Sequence, residues 1–144
     1  MTAKTCVVTG SSSGIGRAIA ERFGEDGHNV VVNYRSSREG AEQTAATVEA
    51  AGGSALIAQA DVTDIEAVQR MGDRVHREFG RVDVLVNNAG INQDVKFTEM
   101  SHEEWDTVLD VHLDGAFHAT QTFYDDLAAA AEGRLINISS IIGK

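Results

Sequence analysis

The sequence predicts an α/β domain in which helices cover both faces of a doubly wound parallel sheet of strand order 3-2-1-4-5. Short β-branched runs alternate with amphipathic segments along the whole chain, the pattern of consecutive β-α-β units. No proline, repeat, linker or low-complexity stretch divides the chain, so residues 1–144 are expected to form one domain. Right-handed crossovers then make 3-2-1-4-5 the natural order.

The first strand is expected at Thr5–Thr9 and leads through a glycine-rich loop into a helix over Gly14–Asp26. A second strand, Asn29–Asn33, precedes a helix over Arg38–Ala51, and a third, Ala55–Ala60, precedes a helix over Asp64–Phe79. The fourth strand, Val82–Asn87, is followed by one long helix over Ser101–Ala131, and Arg134–Ser139 completes the sheet. Two helix starts read as capping boxes, Thr63-Asp64-Ile65-Glu66 and Ser101-His102-Glu103-Glu104. In each, the hydroxyl can accept from the amide three residues on while the Glu reaches back. Gly24, Gly27, Gly52-Gly53 and Gly80 fall where helices should stop.

Composition narrows the class. A hydrophobic share of 42% is ordinary for a globular chain, and 144 residues suffice to bury a core. No apolar run reaches the ~18 residues of a membrane span, and Met1–Lys4 leads into the first strand without the layout of a signal peptide. Cys6, the single cysteine, lies in that strand and is expected to be a buried, inert thiol. The chain therefore reads as cytoplasmic. A net charge of −10 argues against nucleic acid and anionic membranes as partners. The 22 acidic residues face nine arginines and three lysines. Such a surface suits either an ordinary acidic enzyme or one working in a salt-rich cytoplasm, where screening relieves self-repulsion.

Four segments carry chemistry. Thr9-Gly10-Ser11-Ser12-Ser13-Gly14-Ile15-Gly16 joins a strand to a helix, the context in which a glycine-rich loop cradles a pyrophosphate. Gly10 permits the turn, Gly14 lets the backbone approach the phosphates, and Gly16 lets the helix pack on the sheet, while free amides and the helix dipole favour the charge. Ser12, Ser13 and Ile15 complete that loop. At the end of the second strand stand Asn33, Tyr34, Arg35, Ser36, Ser37 and Arg38. A carboxylate here would bond the ribose hydroxyls of NAD, whereas Asn33 with Arg35 and Ser36 suits a 2′-phosphate, so NADP(H) is the expected cofactor of a Rossmann-like fold. Arg38 is either a second phosphate contact or a solvated first-turn residue. Asp61 and Val62, at the third strand's end, are placed to accept from the adenine amino group and to cover the ring; Asp61 could instead cap the next helix. The fourth segment is Asn87-Asn88-Ala89-Gly90.

In this order and spacing, together with Asn137-Ile138-Ser139-Ser140, these motifs resemble the classical short-chain dehydrogenases/reductases over the whole chain. The resemblance implies that Asn88, Ala89 and Gly90 lie along the cofactor ribose, and that Asn87 and Asn88 tie the central strands together. It implies that Ser140 holds the substrate carbonyl, with Ser139 a near miss. Where the family carries Asn in the long helix, this chain has Val111-His112-Leu113-Asp114-Gly115. His112 is expected to retain the proton relay, through the same backbone kink or its own ring, or else to weaken it. No metal ligand is assigned. The chain stops at Lys144, before the family's Tyr-X-X-X-Lys, and neither Tyr34 nor Tyr124 fits that pattern; Lys144 is too near Ser140 to be its lysine. It therefore reads as the N-terminal part of a longer reductase, truncated relative to the family. A bare fifth strand and an uncovered apolar face on Trp105–Leu127 are expected. Gly90–Asp94 and Phe97–Trp105 are similar to β-ketoacyl thioester reductases, linked to acyl-carrier protein or CoA; Val32–Ser36 also occurs in glucose dehydrogenases of the family. The implied function is NADPH-dependent reduction of a ketone on a small-molecule or acyl-thioester substrate. The alternative is an inactive NADP(H)-binding module. Relatives suggest a homodimer or homotetramer at full length.

Overall fold

The computed structural model describes residues 2–140, so Lys144 lies outside it. Five strands, β1 (Thr5–Val8), β2 (Asn29–Tyr34), β3 (Ser54–Gln59), β4 (Val84–Asn87) and β5 (Arg134–Asn137), form one parallel sheet. Its order is β3-β2-β1-β4-β5, as the alternation of elements predicts. In register, Val8 lies opposite Val32 on one side and Val86 on the other. The loops that follow β1, β2 and β4 thus leave the sheet at one level.

Side chains along a strand alternate between faces, and the core divides accordingly. Cys6, Val8, Val30 and Val32 pack with Ala20 of α1 (Gly14–Glu25) and Val48 of α2 (Arg38–Ala50). Val7, Val31 and Leu85 pack with Met71 of α3 (Ile65–Phe79) and Phe123 of α5 (Gly115–Ala129). Burial on both faces is why the central strands read as unbroken valine runs.

Two helix ends depart from expectation, and the long helix carries a kink at His112. Thr63 does not cap α3: the N-cap is Asp64, whose carboxylate accepts from the Glu66 and Ala67 amides at 2.9 and 3.1 Å. A carboxylate is the stronger acceptor at the positive end of a helix, and the Thr63 hydroxyl donates instead to Asp61 at 2.8 Å. Gly24 does not end α1 but lies within it, where a Cβ would sit 2.9 Å from Cα of Val48. The long helix is broken. After α4 (His102–Leu109), whose Ser101–Glu104 capping box forms in full, a π turn spans Asp110–Asp114 before α5 begins.

β5 is exposed along its length, with Leu135 and Ile136 open to solvent. Leu113, Phe117 and Tyr124 are likewise exposed around α5. Among the described residues, no helix is long and apolar enough to cross a membrane. No group of three His, Cys, Asp or Glu among them could hold a metal ion.

Candidate functional site

The loop after β1 is held from outside. Gly10 takes φ +64°, and a Cβ there would lie 2.9 Å from Cα of Ala89. Ser11 is fully buried; its hydroxyl donates to Val8 O at 2.8 Å and its amide to Asn33 O at 2.9 Å. On the far side, the Thr44 hydroxyl is shared between the carbonyls of Ser11 and Gly40, 3.0 Å from each. Arg17 donates from Nη2 to Ser12 O at 2.6 Å and from Nε to Thr44 Oγ1 at 3.1 Å. With its carbonyls bound outward, the loop presents the start of α1 to the cleft. The N-cap, Ser13, makes no side-chain cap bond, so the first-turn amides keep their donors. Gly14 takes φ +55°, with nothing within 4 Å of where a Cβ would stand.

Asn33 borders the cleft and also acts as a girder beneath it. It is 1% exposed. Its Oδ1 accepts from Gly10 N at 3.0 Å, and Nδ2 donates to the carbonyls of Ala58 and Ala60 at 3.2 and 3.1 Å. Both of its donors are consumed in joining the loop to β3. Asn88 does similar work from β4, donating from Nδ2 to the carbonyls of Thr9 and Gly10 at 3.0 and 3.2 Å. The Thr9 hydroxyl accepts from the amides of Asn88 and Ala89, both at 3.0 Å. Gly16 lies against this knot: a Cβ there would collide with Asn88 Nδ2 and Gly10 O. The close contact it permits is therefore with the loop and β4, not with the sheet face.

All the residues predicted to meet the cofactor border one cleft of about 640 Å³, open above the ends of β1 to β4. Ser12, Ser13, Gly14 and Ile15 form its floor at the start of α1, and Arg35 and Ser36 are exposed at its rim beyond β2. On the β3 side, Asp61 Oδ1 accepts from the amide and hydroxyl of Thr63 at 3.0 and 2.8 Å, which orders the turn without capping α3. Val62 is buried beside it. Ala89 and Gly90 form the β4 wall and lead into a second compartment of about 620 Å³, bordered by His112, Ser139 and Ser140.

His112 sits in the π turn with Nε2 2.8 Å from Ile91 O and 3.2 Å from Ile91 N. One ring nitrogen cannot serve both. In either tautomer Nε2 ties the ring to the Ile91 backbone, donating to the carbonyl or accepting from the amide. The ring lies over Gly90, where a Cβ would come within 2.7 Å of Cε1. Of the two tyrosines, Tyr34 is buried in the core beneath α1 and α2 and Tyr124 is exposed on α5; neither borders either compartment.

Four further residues brace the site: Thr9, which stands in the glycine motif without an assigned role, Arg17, Thr44 and His118. Arg17 left a faint signal, as a charged residue directly after the glycine motif. The others give little local signal, since their roles depend on contacts 27 or more positions away.

The profile of the short chain dehydrogenase family matches residues 4–144. The 3-oxoacyl-acyl-carrier-protein reductase FabG of Staphylococcus aureus is 42% identical over 140 residues, which is 97% of this chain and 57% of that protein. The 3beta-hydroxysteroid dehydrogenase 1 of Eggerthella lenta is 48% identical over 96% of this chain and 53% of its own length. Glucose 1-dehydrogenase 2 of Bacillus subtilis is 43% identical over 98% and 55%. The chain thus spans a little over half the length of these relatives. A crystal structure assigned to the short-chain dehydrogenases/reductases, from Burkholderia xenovorans, superposes with a TM-score of 0.93 at 31% identity, covering 99% of this chain and 62% of that one.

Proposed function

The chain belongs to the short-chain dehydrogenase family, and from that footing we propose that its cleft binds NADP(H) in the reduction of a ketone, preferably a 3-oxoacyl thioester, to a secondary alcohol. The observation that carries the cofactor reading is the start of α1. Its amides lack a side-chain cap, and they open onto a cleft at a glycine whose missing side chain leaves free space. That is the donor set and the clearance a pyrophosphate needs.

Preference for the 2′-phosphate is read from the rim. Arg35 and Ser36 are exposed there, and no carboxylate stands at the end of β2 to repel a phosphate. Asp61 and Val62 would receive the adenine, and Asn88, Ala89 and Gly90 would line the ribose. When bound, NADPH supplies the hydride. The chain's own part is to hold the two reactants apart from bulk water and in line. Ser140, at the border of the second compartment, would donate its hydroxyl to the substrate carbonyl. His112 would fix the wall between the compartments through Ile91, and the π turn around it supports the reading in which the backbone kink is kept.

A second reading, a cofactor-binding module without turnover, is favoured by the placement of Tyr34 and Tyr124 away from both compartments. Reduction needs an acid for the carbonyl oxygen, and neither tyrosine stands where it could supply one. Acetoacetyl-CoA and NADPH should therefore be supplied to this chain and to a C-terminally extended form. Turnover is expected in the longer protein alone. An extended protein that binds NADPH yet reduces nothing would favour the module. For the extended protein, a homodimer or homotetramer built on the face of Leu113, Phe117 and Tyr124 is proposed, since that face is apolar and exposed.

A further inference from the structure

The helix that carries His112 also reaches the opposite lip of the cleft. The ring of His118, on α5, places Nδ1 2.8 Å from the main-chain carbonyl of Val62. A carbonyl only accepts, so Nδ1 must carry the proton, and the ring is held in that tautomer or as the cation. The contact does not stand alone. Gly115, one turn earlier, meets the Val62 side chain so closely that a Cβ would lie 2.5 Å from Cγ2 and 3.0 Å from Cβ of Val62. Val62 is thereby gripped twice from α5, once at its side chain and once at its carbonyl.

The π turn is what brings the grip to bear. A π turn inserts one residue into the helical ladder, and one residue corresponds to about 100° around the axis. Without the insertion over Asp110–Asp114, Gly115 and His118 would face a different neighbour. With it, one helix braces both lips: His112 through the backbone of Ile91, and His118 through the carbonyl of Val62.

From this geometry, and resting on the NADP(H) reading above, we infer that His118 is a positioning residue for the adenine end of the cofactor, fixing the Asp61–Val62 wall by its Nδ1 donor. The role belongs to one atom, which makes it testable by substitution. In His118→Asn, the amide nitrogen takes the place of Nδ1 and can donate to the same carbonyl. His118→Gln sets its amide one bond further out, where Nε2 had been, and His118→Leu has no donor.

The four forms of the 144-residue chain are to be titrated with adenosine 2′,5′-bisphosphate, with NADPH and with reduced nicotinamide mononucleotide, and their melting temperatures compared. The Leu and Gln forms should bind the bisphosphate and NADPH about fivefold more weakly, the loss of one hydrogen bond's net contribution. The Asn form should be restored, and the mononucleotide should bind all four alike. Equal bisphosphate affinity across the series would overturn the inference. So would a parallel loss of mononucleotide affinity, which would mark a general structural defect. Nitrogen-15 shifts of the His118 ring, read without any ligand, should show Nδ1 protonated; a neutral ring with its proton on Nε2 would also overturn it. If the unsubstituted chain binds no NADPH while Nδ1 is protonated, the cofactor reading falls and takes the adenine role with it, leaving only a clamp between α5 and β3.

Discussion

Gly14 and Gly16 stand two positions apart and answer to different constraints. Gly14 needs its positive φ and the empty space before it, whereas Gly16 needs room against Asn88 and the Gly10 carbonyl. Gly14→Ala should thus cost about 1 kcal/mol of stability through the left-handed backbone while weakening NADPH binding roughly tenfold or more, because its methyl enters the cleft. Gly16→Ala should lose about 2 kcal/mol in denaturant unfolding as the loop is forced off β4. The motif was legible in sequence; the division of labour was not, since it depends on an asparagine 72 positions away folding back over the loop. Asn33 shows the same limit. Its position opposite the cofactor rim is readable, but its two donors are spent on β3 carbonyls that sequence spacing cannot reveal. Asn33→Asp should destabilise the chain by about 3 kcal/mol, since a buried carboxylate would face two carbonyls. Cys6 follows expectation more simply. Burial, reinforced by Asp83, pushes its thiol up to about 12. The raised value favours the folded state fully below the ordinary thiol range, and that contribution fades as pH climbs from about 9 toward 12. Thiol reagents at pH 8 should label Cys6 only after unfolding.

At the scale of the element, caps were easier to place than to assign. The sequence around residue 64 announces a helix start, but Thr63 and Asp64 are both competent acceptors, and the stronger one takes the amides. Asp64→Ala should therefore cost about 1 kcal/mol of stability, and Thr63→Ala should cost less. Equal losses would contradict the assignment. The break in the long helix was harder to see from local sequence. Trp105 through Leu127 keeps helical periodicity throughout, and nothing local, neither proline nor a glycine pair, forces a π turn. What sustains the extra residue is tertiary: the His112 bond to Ile91 and the packing of Gly115 under Val62.

For the whole molecule, alternation of short strands and helices was enough to give the sheet order, because right-handed crossovers leave few ways to arrange five parallel strands. The cleft follows from that order, since the chain winds outward in opposite senses from β1 and from β4, and the parallel strands leave a crevice at their carboxyl ends where the winding reverses. The net charge of −10 belongs to this scale as well. If the acidic surface is a salt adaptation, the melting temperature should rise by several degrees as KCl goes from about 0.1 to about 2 M, where screening shortens to a few ångströms. No rise would leave an ordinary acidic enzyme. Selection of NADP(H) by the cleft is open to titration calorimetry of this 144-residue chain with NADPH and NADH. NADPH should bind the more tightly, with Arg35→Ala weakening NADPH about tenfold and NADH hardly at all. Failure to bind either dinucleotide, or a preference for NADH, would sink the NADP(H) reading of Arg35 and the cleft.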